Sequence, residues 1–460
     1  MAFGPFFMFF LLRKAFYKIN FHNKEFYHRS CSMKFTSAVA VGLAVGVVGV
    51  GSAFATFARV ESMGKNTTYI MDDVSIFDNP ADINLYPNYL IGGFGEYTDD
   101  VATGTNKDPQ HPTFGGIFSL GLGSGDTPDP RVTIGGLFGR EDSELFQFLP
   151  TKYVGDKGDT NALPETVTNF DGFLGGTLSN GNAFGLHVYI AHQDGGYETE
   201  SGSYQVDGNS YASIIRGDAG INWQLGSGTD FELTGGIARV QYGPDHKDFF
   251  EDGDFSYLGN ARAFFALDAI DGELIPAVRA HYVQAPGVED RHAQVGLGIN
   301  VALDRGFFWM GWDFLWNQKK EHDWTYDYTT GETVYNSQYE DKIWDKRKDI
   351  GGMVSFGIER NIWWDWFVVR VGGQKSILYT KCDVDSRNEG KNGLCSDDGT
   401  FFSTNPMGDG TSKDHVGWGF GINVEEKLKI DVTVAEDLLF RNPFQGEGRL
   451  FSRIDATYSF

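Results

Sequence analysis

The chain has 460 residues, 41% of them hydrophobic and 15% aromatic, with 60 Gly, 39 Phe and only 14 Pro, a balance that favours many twisted strands over helices. Its formal net charge is −24. That acidity argues against a nucleic-acid partner, which needs a basic footprint.

In chain order, the first recognisable unit is Met33 to Ala55, MKFTSAVAVGLAVGVVGVGSAFA. Lys34 supplies a positive start and Ala38 to Val50 an apolar core too short to anchor in a bilayer. Ala53-Phe54-Ala55 is a small-x-small cleavage site. This is the pattern of a secretory signal peptide. With export beginning at Met33, residues 1–32 read as an over-extended start that the mature protein lacks, Cys31 included. Residues 1–55 hold six basic side chains against Glu25, so the rest of the chain carries about −29. Outside the signal, no run approaches the 18 apolar residues of a membrane helix.

From residue 89 onward the chain alternates with period two. Phe184, Leu186, Val188 and Ile190 share one face, with Gly185, His187 and Tyr189 on the other. Val295, Leu297, Ile299 and Val301 alternate with Gln294, Gly296, Gly298 and Asn300. Val416, Trp418, Phe420, Ile422 and Val424 alternate with His415, three glycines and Asn423. Sixteen such segments are predicted, near 89–98, 112–122, 131–140, 169–179, 183–194, 211–225, 229–242, 258–268, 274–286, 290–303, 306–317, 349–359, 364–377, 414–424, 427–436 and 449–460. Many run 10 to 14 residues, longer than the roughly 5–6 of soluble strands, and Trp and Tyr gather near their ends. Connections after even-numbered segments are tight, as at Leu303-Asp304-Arg305-Gly306. Those after odd-numbered segments are long and polar, apart from a short link at 287–290. Short turns at one end and long loops at the other are the layout of an outer-membrane barrel.

The expected fold is therefore all-β: a transmembrane antiparallel β-barrel over residues 89–460, of about sixteen strands with fourteen as the alternative. Residues 56–88 precede it as a periplasmic or lumenal segment. By parity Arg216, Asp218, Arg279, Asp313, Arg370, Lys429, Asp431, Arg453 and Asp455 should point inward. Such charges can select solutes by their field, or brace the wall or a plug as salt bridges. Cys382 and Cys395 form an even pair that an oxidising compartment can close into a loop disulfide. There is no HExxH, Walker loop or nucleophile elbow. Gly121 to Gly125 reads as a hairpin turn and not a phosphate loop. His192, His281 and His292 read as isolated lumen or rim residues. No enzyme activity, cofactor or metal site is expected.

The chain closes with Ile454, Ala456, Tyr458 and Phe460 on one face. An aromatic end with alternating apolar partners, here Ile454, Tyr458 and Phe460, resembles the signal read by the barrel-assembly machinery. The resemblance implies that machinery and outer-membrane lipid as partners, in the cell outer membrane of a Gram-negative-type bacterium. Arg59-Val60-Glu61-Ser62-Met63-Gly64, then Met71-Asp72-Asp73 and Asn79-Pro80-Ala81, resembles the opening of FadL-type and PorV-type outer-membrane barrels. That resemblance covers roughly residues 59–90. It implies a hatch at 56–88 carrying the Asn79, Pro80, Ala81 motif, and passage of hydrophobic solutes or assistance to a secreted protein. The sequence departs from those families at Asp82, where they usually carry Gly, and in strand number, since they have fourteen. The leading expectation is a porin-like channel for passive or selective passage of small or hydrophobic solutes. The other is a non-transporting surface or secretion-partner barrel that binds a protein or polysaccharide through its long loops.

Overall fold

The computed structural model describes residues 56–95, 112–121, 131–142, 144–148, 152–154, 160–162, 168–178, 180–194, 211–226, 228–242, 253–286, 288–322, 325–327, 332–334, 344–383, 415–425, 427–434 and 451–460. Sixteen strands close into one antiparallel barrel. They are β1 (Tyr89–Phe94), β2 (Thr113–Gly121), β3 (Arg131–Phe138), β4 (Thr168–Thr177), β5 (Ala183–Asp194), β6 (Tyr211–Gly226), β7 (Thr229–Tyr242) and β8 (Phe255–Leu267). They continue as β9 (Gly272–Ala285), β10 (Val288–Leu303), β11 (Gly306–His322), β12 (Trp344–Asn361), β13 (Phe367–Asp383), β14 (His415–Val424), β15 (Leu428–Val434) and β16 (Phe451–Ser459). Two short hairpins, 152–154 with 160–162 and 325–327 with 332–334, lie within the long connections after β3 and β11.

Every strand pairs with its sequence neighbours, and the last closes on the first. Tyr89 faces Ser459 and Phe94 faces Ile454 across that seam, and the Phe460 amide donates to the Asn88 carbonyl at 3.1 Å. Closure leaves no row of unpaired amides and carbonyls facing hydrocarbon, where each would cost several kcal/mol. Ile454, Tyr458 and Phe460 all point outward, 39%, 43% and 58% exposed.

The alternation has a direct spatial meaning. Leu186, Val188 and Ile190 are outward and open, while His187 and Tyr189 between them are buried inside. Leu297 and Trp312, opposite each other on β10 and β11, face outward. Asp313 beside them faces in and is fully buried. A wall that is apolar outside and polar inside is the reverse of a soluble barrel, and lipid is the environment it fits. At the short-turn end, exposed Trp363, Trp364 and Trp366 sit between β12 and β13, with Trp364 and Trp366 stacked at 5.1 Å.

Several strands run further than the alternation predicts. β11 has 17 residues and β12 has 18, against roughly 9–11 needed to cross a bilayer. The added length is at the long-loop end, where Lys319, Lys320, Lys346 and Lys348 continue the ladder. There the outward face carries Lys320, Lys346 and Lys348 in place of apolar residues, while Arg347 and Asp349 stay buried inside, so the hydrophobic period vanishes while the backbone pairing persists. Cys395 and the Cys382 side chain lie outside the described residues, as does most of the long-loop sequence.

Leu297→Arg places a charge on the lipid face of β10. It should cost about 2–4 kcal/mol of barrel stability if residue 297 lies near the midplane, measured by urea titration in lipid vesicles. No loss of stability would contradict a lipid-facing Leu297.

Candidate functional site

The lumen is filled from below by residues 56–88. Thr56 caps a short helix, α1 (Phe57–Ser62), its hydroxyl accepting from the Arg59 amide at 3.3 Å. Asp72 caps a 3-10 turn over Asp73–Phe77, accepting from the Val74 amide at 2.9 Å. Asn79 caps a second, Pro80–Leu85, accepting from the Ala81 amide at 3.1 Å, with Pro80 at its first position. Pro and Asn suit those places because Pro lacks an amide that would be unpaired there and Asn supplies an acceptor. Asn79, Ala81, Ile83 and Asp82 are all fully buried. This segment touches the inner wall around the barrel, from β3–β6 on one side to β13–β16 on the other.

Two features of the wall hold it. The first is charge. On one side, Arg59 donates through Nε and Nη2 to both oxygens of Glu359 at 2.6 and 3.3 Å. Arg370 donates to the same Glu359 at 2.5 Å and to Asp431 at 2.6 Å. Asp431 also accepts from the Thr56 hydroxyl at 3.0 Å. Asp455 accepts from the Ala58 amide at 2.7 Å and from Arg453 at 3.0 Å, and the Arg453 guanidinium lies 4.4 Å over Phe57. On the other side, Asp82 accepts from Ser75 (2.6 Å), Asn222 (2.7 Å) and Arg262 (3.0 Å). Arg262 also pairs with Glu232, Arg279 with Asp78, and Tyr69 with Asp313.

The second feature is the absence of side chains. Inner-face Gly296, Gly298 and Gly311 surround Tyr69; a β-carbon at any of them would collide with it. Gly185 and Gly220 leave the same room for Pro80 and Asn79. The glycines on the polar face of the alternation are thus the docking floor of the segment.

A second closure lies above. The chain after β3 turns inward: Leu145 and Phe148 are buried in an apolar cluster with Tyr189, Ile214, Val240 and Val283. Arg140 donates to Asp171 at 2.5 Å and its guanidinium lies 4.0 Å over Phe77 of the segment below. His187 bridges Asp171 and Asp218 at 2.9 and 2.8 Å. Arg216 joins Asp218 at 2.8 Å, Asp142 at 3.0 Å and Glu144 at 2.7 Å. Burial opposes the Glu144 charge, but Arg216 and Arg279 outweigh it and hold the carboxyl down at about 2.

All nine charges expected inward by parity therefore point into the barrel. Arg216, Asp218, Asp313, Arg370, Lys429, Asp431, Arg453 and Asp455 are buried, and Arg279 is about a quarter exposed. They do not line an open passage: the described contacts tie Arg279, Asp313, Arg370, Asp431 and Asp455 to the 56–88 segment or its anchors. The partners were not singled out by the sequence reading. Glu359, Glu232, Arg262 and His187 share the inward parity of their strands and were findable that way; Asp142 and Glu144 sit on no strand and were not. His281 and His292 are not isolated: they face each other in register on β9 and β10, rings 5.1 Å apart, and His281 contacts Asp290 at 2.7 Å.

Among the described residues, an apolar space lies between the segment and the wall. It is a cavity of about 20 Å³ lined by Phe57, Ile76, Phe77, Tyr89, Ile117, Leu137 and Phe173, with Val74, Ile91 and the backbones of Gly116 and Gly136 behind them. Asp73 is its one charged lining residue. A second space of about 10 Å³, between the segment and the upper closure, is polar and lined by Asp78, Glu144, Arg216, Asn260, Arg279 and His281 among others.

No family model matches the chain, and no curated protein matches it. Among solved structures it is similar to the toluene transporter TodX of Pseudomonas putida, at 12% identity over 88% of this chain and 97% of that chain, with a TM-score of 0.34. It is also similar to the monoaromatic hydrocarbon channel CymD, at 11% identity over 88% and 97%, with a TM-score of 0.36. A third is the ferric yersiniabactin uptake receptor FyuA of Yersinia pestis, at 9% identity over 81% and 80%, with a TM-score of 0.27. At such loose overlap the architecture rests on this chain's own strand registers.

Glu359→Ala strips Arg59 and Arg370 of their shared carboxylate. It should cost about 3–5 kcal/mol, measured by urea unfolding in lipid vesicles, and should render residues 56–88 cleavable by protease while the barrel survives. Unchanged protection of the segment would contradict its anchoring role.

Proposed function

We propose that this chain is an outer-membrane channel for small apolar solutes, exported by the signal peptide at 33–55, inserted by the barrel-assembly machinery and plugged by residues 56–88. The observation that carries this reading is the apolar cavity beside Asp73. Apart from the apolar clusters that pack the two closures, the described lumen is largely charged and paired, so a hydrated ion or sugar meets a filled, salt-bridged interior. An apolar solute meets an aromatic-lined space, framed by the turn Asp73–Phe77 and the wall of β1–β4. At about 20 Å³ it holds a water or so, whereas a benzene-sized guest needs on the order of 150 Å³. Solute entry therefore requires the turn to shift, and the passage is gated by its guest and not permanently open. No bond is made or broken; transport is diffusion through a site of matching polarity.

Planar-bilayer recording tests this. The intact protein should be nearly silent to ions, and deletion of residues 56–88 should give large stepwise currents, as an unplugged barrel of this size holds an aqueous channel. Currents equal in both proteins would overturn the plug. Silence in both would favour a surface or secretion-partner role.

Gly298→Val separates docking from wall formation. The β-branched side chain suits a strand but occupies the space of Tyr69. The barrel should still form, judged by its folded band in unheated gels, and the protein should show the currents of the deletion.

A further inference from the structure

The cavity beside the 56–88 segment contains a chemical mismatch. Asp73 is 2% exposed, and neither of its carboxyl oxygens has a hydrogen-bond partner among the described residues. Its neighbours around the cavity are aromatic and aliphatic. Next to it, Asp72 is fully engaged: it accepts from the Val74 amide and faces Arg59 at 3.5 Å. Only one of the two adjacent acids is thus used to hold the fold. A buried polar group left without a partner costs about 1–3 kcal/mol, and such a group calls for an explanation, a functional role among them.

We propose that Asp73 makes this cavity selective for small aromatic solutes that carry a hydroxyl, and against those that carry a carboxylate. This rests on the reading of the cavity as a solute site and deepens it. The ring of such a solute takes the place of the apolar contacts offered by Phe57, Phe77 and Phe173. Its hydroxyl supplies the hydrogen bond that Asp73 lacks. An anionic solute would set its charge beside an acid in an apolar pocket with no cation lining it, which the desolvation cost forbids. Burial, reinforced by Asp72, pushes the Asp73 carboxyl well above the usual carboxylate range.

The test is equilibrium binding by calorimetry on the full chain in detergent, with toluene, phenol and benzoate as probes. Wild type should bind phenol about tenfold tighter than toluene, the worth of one buried hydrogen bond, and should not bind benzoate. Asp73→Leu should bring the ratio of phenol to toluene affinity down to about one. Asp73→Asn, which keeps an acceptor, should retain most of it. Because Asp73 makes no hydrogen bond among the described residues, both variants should keep the barrel, judged by its folded band in unheated gels. Equal affinities for phenol and toluene in wild type, or an undiminished preference in Asp73→Leu, would overturn the selectivity while leaving the solute site standing. Benzoate binding as tight as phenol would also overturn it. Failure of toluene and phenol alike to bind wild type would remove the solute site and this inference with it.

Discussion

Irregular backbone at membrane depth survives only where protein, and not lipid, completes its hydrogen bonds. That constraint organises this molecule. Residues 56–88 have one six-residue helix and two 3-10 turns, far too little regular structure to satisfy themselves. The barrel wall supplies the rest: carboxylates for Arg59 and for the Ala58 amide at the start of α1, Arg262 and Asn222 for Asp82, and Asp313 for Tyr69. Glycines let the segment approach closely enough to use them. Without the segment those wall charges would face a water-filled lumen, solvated but with nothing left to position.

The charged networks are better understood as placement than as adhesion. A buried ion pair yields little net stability over an apolar pair of similar volume, but it is severe on misplacement. Glu359 between Arg59 and Arg370, and Asp82 between Ser75, Asn222 and Arg262, fix where the segment sits around the barrel axis. The apolar contacts then decide what space is left. That space falls beside Asp73–Phe77, on the side of β1–β4, where Phe77 is held by Phe173 on one face and by the Arg140 guanidinium on another. Arg140 comes from the inward-turned chain after β3, so the upper and lower closures meet at one ring.

Much of this architecture was legible in the sequence because lipid writes a two-residue period into every strand that crosses it. All sixteen segments were found, and Leu186, Val188 and Ile190 faced the side expected of them. The strand ends above the bilayer were not legible, since β11 and β12 continue through Lys319–Lys320 and Lys346–Lys348 with no apolar face to mark them. Parity told that Arg370 and Asp431 point inward. It could not tell that Glu359 and Arg59 complete a chain with them, because pairing across hundreds of residues depends on barrel curvature and on the path of a segment without period. The stretch at 141–148 read as the start of an outer loop. Its inward turn is set by Leu145 and Phe148 meeting an apolar patch on β5–β9, a patch invisible until the strands are arranged in a circle. The Asn79-Pro80-Ala81 turn was visible as a local signal, and Asp82, a departure from the families it resembles, proved to be a main anchor.

The central claim is that the 56–88 segment is an integral part of the barrel interior. Hydrogen exchange on the protein in lipid vesicles measures this most directly. The amides of 57–62 and 73–85 should exchange orders of magnitude more slowly than an unstructured peptide and about as slowly as those of β11 and β12. Exchange at the rate of a free chain in those residues, with the strands still protected, would contradict the account.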